Sequence, residues 1–242
     1  MHTSLTRCLP DTSHKRAERP VIVYFSGGSW TKGTPEWDFY NCANYARKGR
    51  VAVAVEYRVA DRHETTPLEA VKDARSAIRW LRMNAETYNI DPNRIVASGN
   101  SAGGHLALST ALANEVNESP DNLNISSEPN LLLVNSGVYN LNFDESTAWI
   151  YRALNDRSMV EKISPQHLLK KGLPPMLVIH GTDDQSVDYK SAKAFADQMK
   201  ELGNELEFET IEGAPHHIWY DRRFSGKVST LRKSFLEKYG FE

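Results

Sequence analysis

No apolar run in this chain approaches the roughly 20 residues that a membrane helix requires, and the mean hydropathy is −0.52. A membrane span is therefore excluded from the expected architecture. Charge of one sign is also missing. With 29 Lys and Arg against 31 Asp and Glu, the formal net charge is −2, too small to draw nucleic acid or an anionic bilayer. Cysteine is scarce. Cys8 and Cys42 form neither a CxxC pair nor a metal-ligand spacing; they read as free thiols, with a single disulfide as the alternative in a secreted protein. Residues 1–10 lack the apolar core of a signal peptide, so the expected location is the cytoplasm, or outside the cell if a leader has been removed. Internal repeats and low-complexity tracts are absent too. The 242 residues fit one α/β domain over residues 1–242 and leave little room for a second.

What the chain does have is an alternation of short β-branched runs with longer helical stretches, the signature of parallel strands joined by crossover helices. Strands are predicted at Val21–Phe25, Val51–Tyr57, Arg94–Ser98, Leu131–Ser136, Met176–His180 and Leu206–Ile211. Most are continuously apolar, as expected of strands covered on both faces. Helices are predicted at Pro35–Lys48, Leu68–Tyr88, Ala102–Asn114, Tyr189–Leu202 and Lys227–Lys238. In the second of these, Ala70, Ala74, Ala77, Ile78 and Leu81 recur at helical spacing as one buried stripe. The polar stretch Asn114–Asn130 reads as a surface connection. The long stretch Asn140–Pro175, with Trp149, Ile150 and Tyr151, reads as a small insertion or rim with helices of its own. The fold class is α/β, with a mostly parallel sheet of at least six strands and helices on both faces.

The sharpest chemical signal is Gly99-Asn100-Ser101-Ala102-Gly103-Gly104. It directly follows a strand and directly precedes an apolar helix, which is the context of a nucleophile elbow. Glycines let the chain turn sharply enough to expose Ser101 above the sheet, and N–H groups at the start of the helix favour developing negative charge. A serine needs a base that is itself oriented by an acid. The strand Met176–His180 runs into Gly181-Thr182-Asp183-Asp184, and Leu206–Ile211 into Glu212-Gly213-Ala214-Pro215-His216-His217. Acid and base candidates thus follow Ser101 in the required order, each at the end of a strand. An aspartate pair in a loop is otherwise a turn or helix cap, which accounts for one of Asp183 and Asp184 but not both. His105, inside the elbow helix, reads as structural.

With these segments in view, the chain resembles the α/β-hydrolase serine esterases close to the hormone-sensitive-lipase and feruloyl or acetyl-xylan esterase families. The resemblance is carried by Val23 to Trp30, Glu56-Tyr57-Arg58, Ile90 to Ile95, Gly99 to Leu106 and His180-Gly181-Thr182, and it runs from about Pro20 to Trp219. It implies that the acid is Asp184, four positions after His180, and that the base is His216 of the Gly-x-x-His segment. It further implies an oxyanion hole built from the N–H groups of Gly28 and Ser29, with Gly27 as a further donor, and of Ala102. Two departures stand out. Ser26 occupies the place of the family's leading histidine, and the N-terminus is short. Leu5 to Leu9 can supply one edge strand where the family has an antiparallel pair, leaving that edge bare or covered by a second subunit.

The function implied is hydrolysis of small carboxylic esters, including acetylated or feruloylated carbohydrate, with Trp30 and Trp219 lining the pocket. The reaction calls for no cofactor, and no metal-ligand spacing is present. The expected partner is a small ester, not nucleic acid or membrane, acted on by a monomer or homodimer. Amide hydrolysis, as in an arylformamidase, is the second reading, because Gly27 to Trp30 occurs there as well. A non-catalytic binding protein on the same fold is the third.

Overall fold

The computed structural model describes residues 4–8, 18–141 and 147–241. Its sheet comprises β1 (Ser4–Cys8), β2 (Arg19–Phe25), β3 (Val51–Glu56), β4 (Ile90–Asn100), β5 (Leu131–Asn135), β6 (Met176–Gly181) and β7 (Leu206–Ile211). Their spatial order is β1-β3-β2-β4-β5-β6-β7. Strands β2 to β7 are parallel. Strand β1 runs antiparallel on the edge, Ser4 opposite Glu56 and Cys8 opposite Ala52, so residues 4–8 supply one edge strand. The chain order reverses around β2, which pairs with β3 on one side and β4 on the other. A crevice opens at such a switch point, outside the carboxyl ends of the strands.

The helices are α1 (Phe39–Arg47), the single turn α2 (Ala60–His63), α3 (Pro67–Met83), α4 (Ala85–Tyr88), α5 (Ala102–Leu112), α6 (Ala148–Leu154), α7 (Arg157–Glu161), α8 (Tyr189–Glu201) and α9 (Ser225–Lys238). Alternating strand side chains divide the core in two. Val21, Val23 and Phe25 join α3, α5 and α8 on one face, while Ile22 and Tyr24 join α1 and α9 on the other. This two-sided burial explains the continuously apolar strands. The stripe Ala70, Ala74, Ala77, Ile78 and Leu81 is buried as its spacing predicts.

Boundaries shift where local chemistry overrides periodicity. The helix expected over Leu68–Tyr88 breaks at Asn84, whose side chain turns back onto the Trp80 carbonyl at 2.8 Å. Pro35–Asp38 forms a 3-10 turn before α1, since proline is tolerated only in a first turn. Strand β4 starts four residues before its expected start at Arg94, through a register shift against β2. The expected surface connection, Asn114–Asn130, has no helix or strand but is held by a buried arginine cluster on α3. Arg79 pairs with Asp121 at 2.7 Å, and Arg75 donates to Asn117 Oδ1 at 3.2 Å as well as to the Ser109 and Thr110 carbonyls of α5. Arg58 pairs with Asp73 at 2.7 Å and also reaches Glu118. The stretch Asn140–Pro175 carries α6, α7 and a 3-10 turn; its residues 142–146 lie outside the described part. No helix among the described residues is long and apolar enough to cross a membrane.

Candidate active site

The loop after β2 is shaped by its backbone before any side chain acts. Gly28 has φ 114°, and a Cβ there would stand 2.7 Å from the Lys32 carbonyl oxygen. Ser29 and Trp30 follow with φ 54° and 59°. Tyr57, at the end of β3, donates its hydroxyl to the Ser26 carbonyl at 2.7 Å, with the Gly27 carbonyl at 3.2 Å. Burial pushes that hydroxyl's pKa well up, so it stays a donor. In a planar trans peptide the N–H points opposite to the C=O. Drawing the Ser26 and Gly27 carbonyls onto Tyr57 therefore turns the Gly27 and Gly28 N–H groups the other way.

Ser101 follows β4 with φ 54° and ψ −124°, a strained conformation for a non-glycine residue that costs about 1–3 kcal/mol. The surroundings fix it there. Its N–H donates to the Asn135 carbonyl at 3.1 Å, and its carbonyl accepts from His105 N–H at 3.1 Å. At Gly103 a Cβ would fall 1.9 Å from the Phe25 carbonyl oxygen, so α5 packs backbone to backbone against the end of β2. Ala102 is fully buried at the first turn of α5, where N–H groups have no partner within the helix.

The loops after β6 and β7 are tied to each other. Asp183 N–H donates to the Ala214 carbonyl at 3.0 Å, and Gly213 N–H to Thr182 Oγ1 at 2.8 Å. Between them Asp184 Oδ2 lies 2.8 Å from His216 Nδ1, while Oδ1 accepts the N–H groups of Ser186 and Val187 at 2.9 and 2.8 Å. Burial alone would raise the Asp184 carboxyl, but hydrogen bonds from His180 and His216 and from Val187 N–H hold it well below the usual carboxylate range. An ionised Asp184 requires the proton of His216 on Nδ1, leaving Nε2 as the acceptor. Asp183 is exposed, and among the described residues its carboxylate meets only the Thr182 hydroxyl. His217, stacked edge-on against His216, has its pKa lowered by burial and by that neighbour.

His180 is more than a sequence marker. Its Nε2 stands 3.0 Å from the Val187 carbonyl and 3.2 Å from Asp184 Oδ2. A carbonyl only accepts, so Nε2 carries the proton and shares it with the oxygen that faces His216. Nothing in spacing announces this, because β6 places His180 and Asp184 together only once it is formed.

Ser101, His216, Gly28, Ser29, Trp30 and Trp219 all line one cavity of about 530 Å³. Trp30 has a second task. It is buried, and its Nε1–H donates to His105 Nδ1 at 3.2 Å, with His105 Nε2 2.6 Å from the Ile163 carbonyl. His105 is thus structural. Trp219 sits edge-on to His216, ring centroids 6.0 Å apart. Sequence reasoning missed Trp37, Asp38 and Tyr220, which line the same cavity; Trp37 and Asp38 hide inside what reads as an ordinary helix start. In the long insertion Trp149 packs against the core and Tyr151 is exposed, while Val138 and Thr147 border the cavity. Among the described residues no group of three His, Cys, Asp or Glu side chains is placed to hold a metal ion.

A family model, BD-FAE, matches residues 9–199 of this sequence. The chain belongs to the BD-FAE family. It is 28% identical over 218 residues to a probable isoprenylcysteine alpha-carbonyl methylesterase, ICMEL1, of Arabidopsis thaliana, covering 82% of this chain and 45% of that protein. It is also 28% identical over 216 residues to esterase LipC of Mycobacterium tuberculosis, covering 81% and 52%. The chain spans about half the length of the curated relatives it matches. Among solved structures, a thermophilic esterase of the planctomycete Thermogutta terrifontis, Est2 with propionate bound, superposes with a TM-score of 0.90 at 35% identity, covering 99% of this chain and 90% of that one. The same enzyme phosphonylated by sarin superposes at 0.92 and 33% identity, covering 100% and 91%. The sheet order and these superpositions establish an α/β-hydrolase fold.

Proposed function

We propose that the protein hydrolyses small carboxylic esters through an acyl-enzyme formed on Ser101. Ser101 Oγ attacks the ester carbonyl as His216 Nε2 takes its proton, and Asp184 stabilises the imidazolium. The N–H groups of Gly28, Ser29 and Ala102 hold the oxyanion, with Gly27 as a further donor. Collapse breaks the ester C–O bond, and His216 returns its proton to the departing alcohol. Water, deprotonated by His216, then attacks the acyl carbonyl; collapse releases the carboxylic acid and restores Ser101.

The observation that carries this reading is that the strained Ser101 and His216, the latter hydrogen-bonded to the buried Asp184, line one cavity. The esterase names of the relatives and of the solved neighbour support it. The acyl group is short, in line with a cavity flanked by Trp30 and Trp219, and acetylated and feruloylated sugars are the natural esters to screen. Wild-type protein should turn over p-nitrophenyl acetate and label with a fluorophosphonate probe, and Ser101→Ala should do neither while keeping its circular dichroism. Retention by the variant of more than about a tenth of wild-type turnover would overturn the assignment, since losing the nucleophile costs several orders of magnitude. Faster turnover of N-formylkynurenine than of the acetate would move the reaction class to amide hydrolysis.

A further inference from the structure

Asp38 is 3% exposed, yet it lines the cavity that holds Ser101 and His216. Its Oδ1 accepts from Asn41 Nδ2 at 3.1 Å, and among the described residues its side chain makes no other hydrogen bond or ion pair. It precedes α1 without capping it. The fold therefore keeps a buried carboxylate there for neither a helix cap nor an ion pair, although burying a charge is expensive. The cost is visible: burial pushes the Asp38 carboxyl up, opposed by Asn41 and by the charge of Arg232. Arg232 is engaged elsewhere, its Nη2 on Ser98 Oγ at 2.9 Å and its guanidinium over the Tyr24 ring.

The rest of the lining points the same way. It contains neither lysine nor arginine. Three further rings border it, Trp37 and Tyr220 being 49% and 67% exposed and Trp219 partly buried. Aromatic faces attract cations, most strongly where water is displaced. A carboxylate enclosed by low-dielectric walls, in a lining without lysine or arginine, focuses a negative field into the cavity. Anionic esters are repelled by that field, and neutral ones feel little of it.

We propose that the cavity selects esters carrying an alkylammonium group, with Asp38 as the residue that recognises the charge and Trp37, Trp219 and Tyr220 supplying ring faces. The proposal rests on the ester-hydrolysis reading above and names the substrate class of that same site.

The test compares two thioesters of equal shape, acetylthiocholine and its neutral isostere in which a quaternary carbon replaces the ammonium nitrogen. The wild-type ratio of kcat/KM, cation over isostere, should be about ten or more, the scale of one charge pair a few ångströms apart in a partly wet site. Asp38→Asn should bring the ratio to about one, since the remaining ring contribution is small at exposed sites. A wild-type ratio near one overturns the proposal without any variant, and a high ratio that survives Asp38→Asn overturns the role of Asp38. Should Asp38→Asn fail to fold, Trp37→Leu, at a half-exposed ring, gives the same readout with an expected drop of about threefold; an unchanged ratio there counts against the site. If neither thioester is turned over, p-nitrophenyl acetate decides whether the hydrolysis reading fails, and a tryptophan-fluorescence titration with choline decides the cation site alone. A saturable change that Ser101→Ala keeps, and that is weakened by Asp38→Asn or by Trp37→Leu, supports the cation site; no saturable change overturns it.

Discussion

The buried pair Trp30–His105 makes the stability of this protein depend on pH in a calculable way. His105 Nδ1 accepts from Trp30 Nε1–H and Nε2 faces the Ile163 carbonyl, so a second ring proton would set two N–H groups against each other. Burial lowers the imidazole's pKa from 6.5 to about 4, the Ile163 carbonyl opposing it only partly. Between those values the unfolded chain binds a proton at this position that the folded chain refuses. Stability therefore rises with pH across the window and falls as pH drops from about 6.5 towards 4. The full difference is on the order of 3 kcal/mol, and about 2 kcal/mol of it should be lost between pH 7 and 5. Other groups titrate in the same range, so the measurement is a double difference. Urea unfolding followed by tryptophan fluorescence is compared for wild type and His105→Gln, whose amide cannot titrate. The variant is less stable at pH 7, and the gap should shrink by about 2 kcal/mol at pH 5. A gap that stays constant with pH would refute the reasoning, because the His105 proton would then not be linked to folding.

Three further outcomes are expected. Asp184→Asn should lower kcat on p-nitrophenyl acetate by about 10²–10⁴, whereas Asp183→Asn should cost far less; the reverse ranking would show the acid to be misplaced. His180→Ala should lower kcat by about ten- to a hundredfold with KM nearly unchanged, through loss of the geometry of Asp184 rather than of a reacting group; a full kcat in single-turnover assays would show that Asp184 needs no such support. Across p-nitrophenyl esters kcat/KM should peak at acetate or butyrate and fall by octanoate, since a buried methylene adds only about 0.8 kcal/mol and a pocket that stops early gains none of it. Trp219→Ala should move that optimum to longer chains, and a wild-type optimum at decanoate would contradict the short-pocket reading.

Local signals in this chain are legible where one residue type has one physical use. The Gly-rich turn after β4 announces Ser101 because few other sequences allow a strand to pass into a helix so abruptly, and the mostly apolar strands announce a sheet covered on both faces. Long-range pairings are legible only through the family resemblance. Asp184 and His216 stand 32 positions apart, and their hydrogen bond exists only because parallel pairing of β6 and β7 brings both loops to one edge. Asp38 was missed for a related reason. In sequence it follows Pro35-Glu36-Trp37 and looks like the solvated first turn of a helix, and only the packing of the 3-10 turn Pro35–Asp38 against β2 and β3 buries it beside the cavity. The break at Asn84 escaped because helical periodicity continues through it, while the side chain competes for the backbone carbonyl.

Two neighbouring residues at the end of β3 face in different directions, and this gives the molecule a short mechanical linkage. Tyr57 grips the Ser26 and Gly27 carbonyls, while Arg58 is clasped by Asp73 of α3 and by Glu118 of the irregular stretch beyond α5. One peptide bond joins the two grips. A change at Glu118, in a stretch that looks like ordinary surface, thus bears on the orientation of backbone donors at the cavity with no contact to substrate. Irregular chain usually absorbs insertions and drift more freely than the elements it connects. Here the stretch following α5 acts as a brace, and variation will be tolerated there only where the arginines of α3 and Arg58 keep their partners.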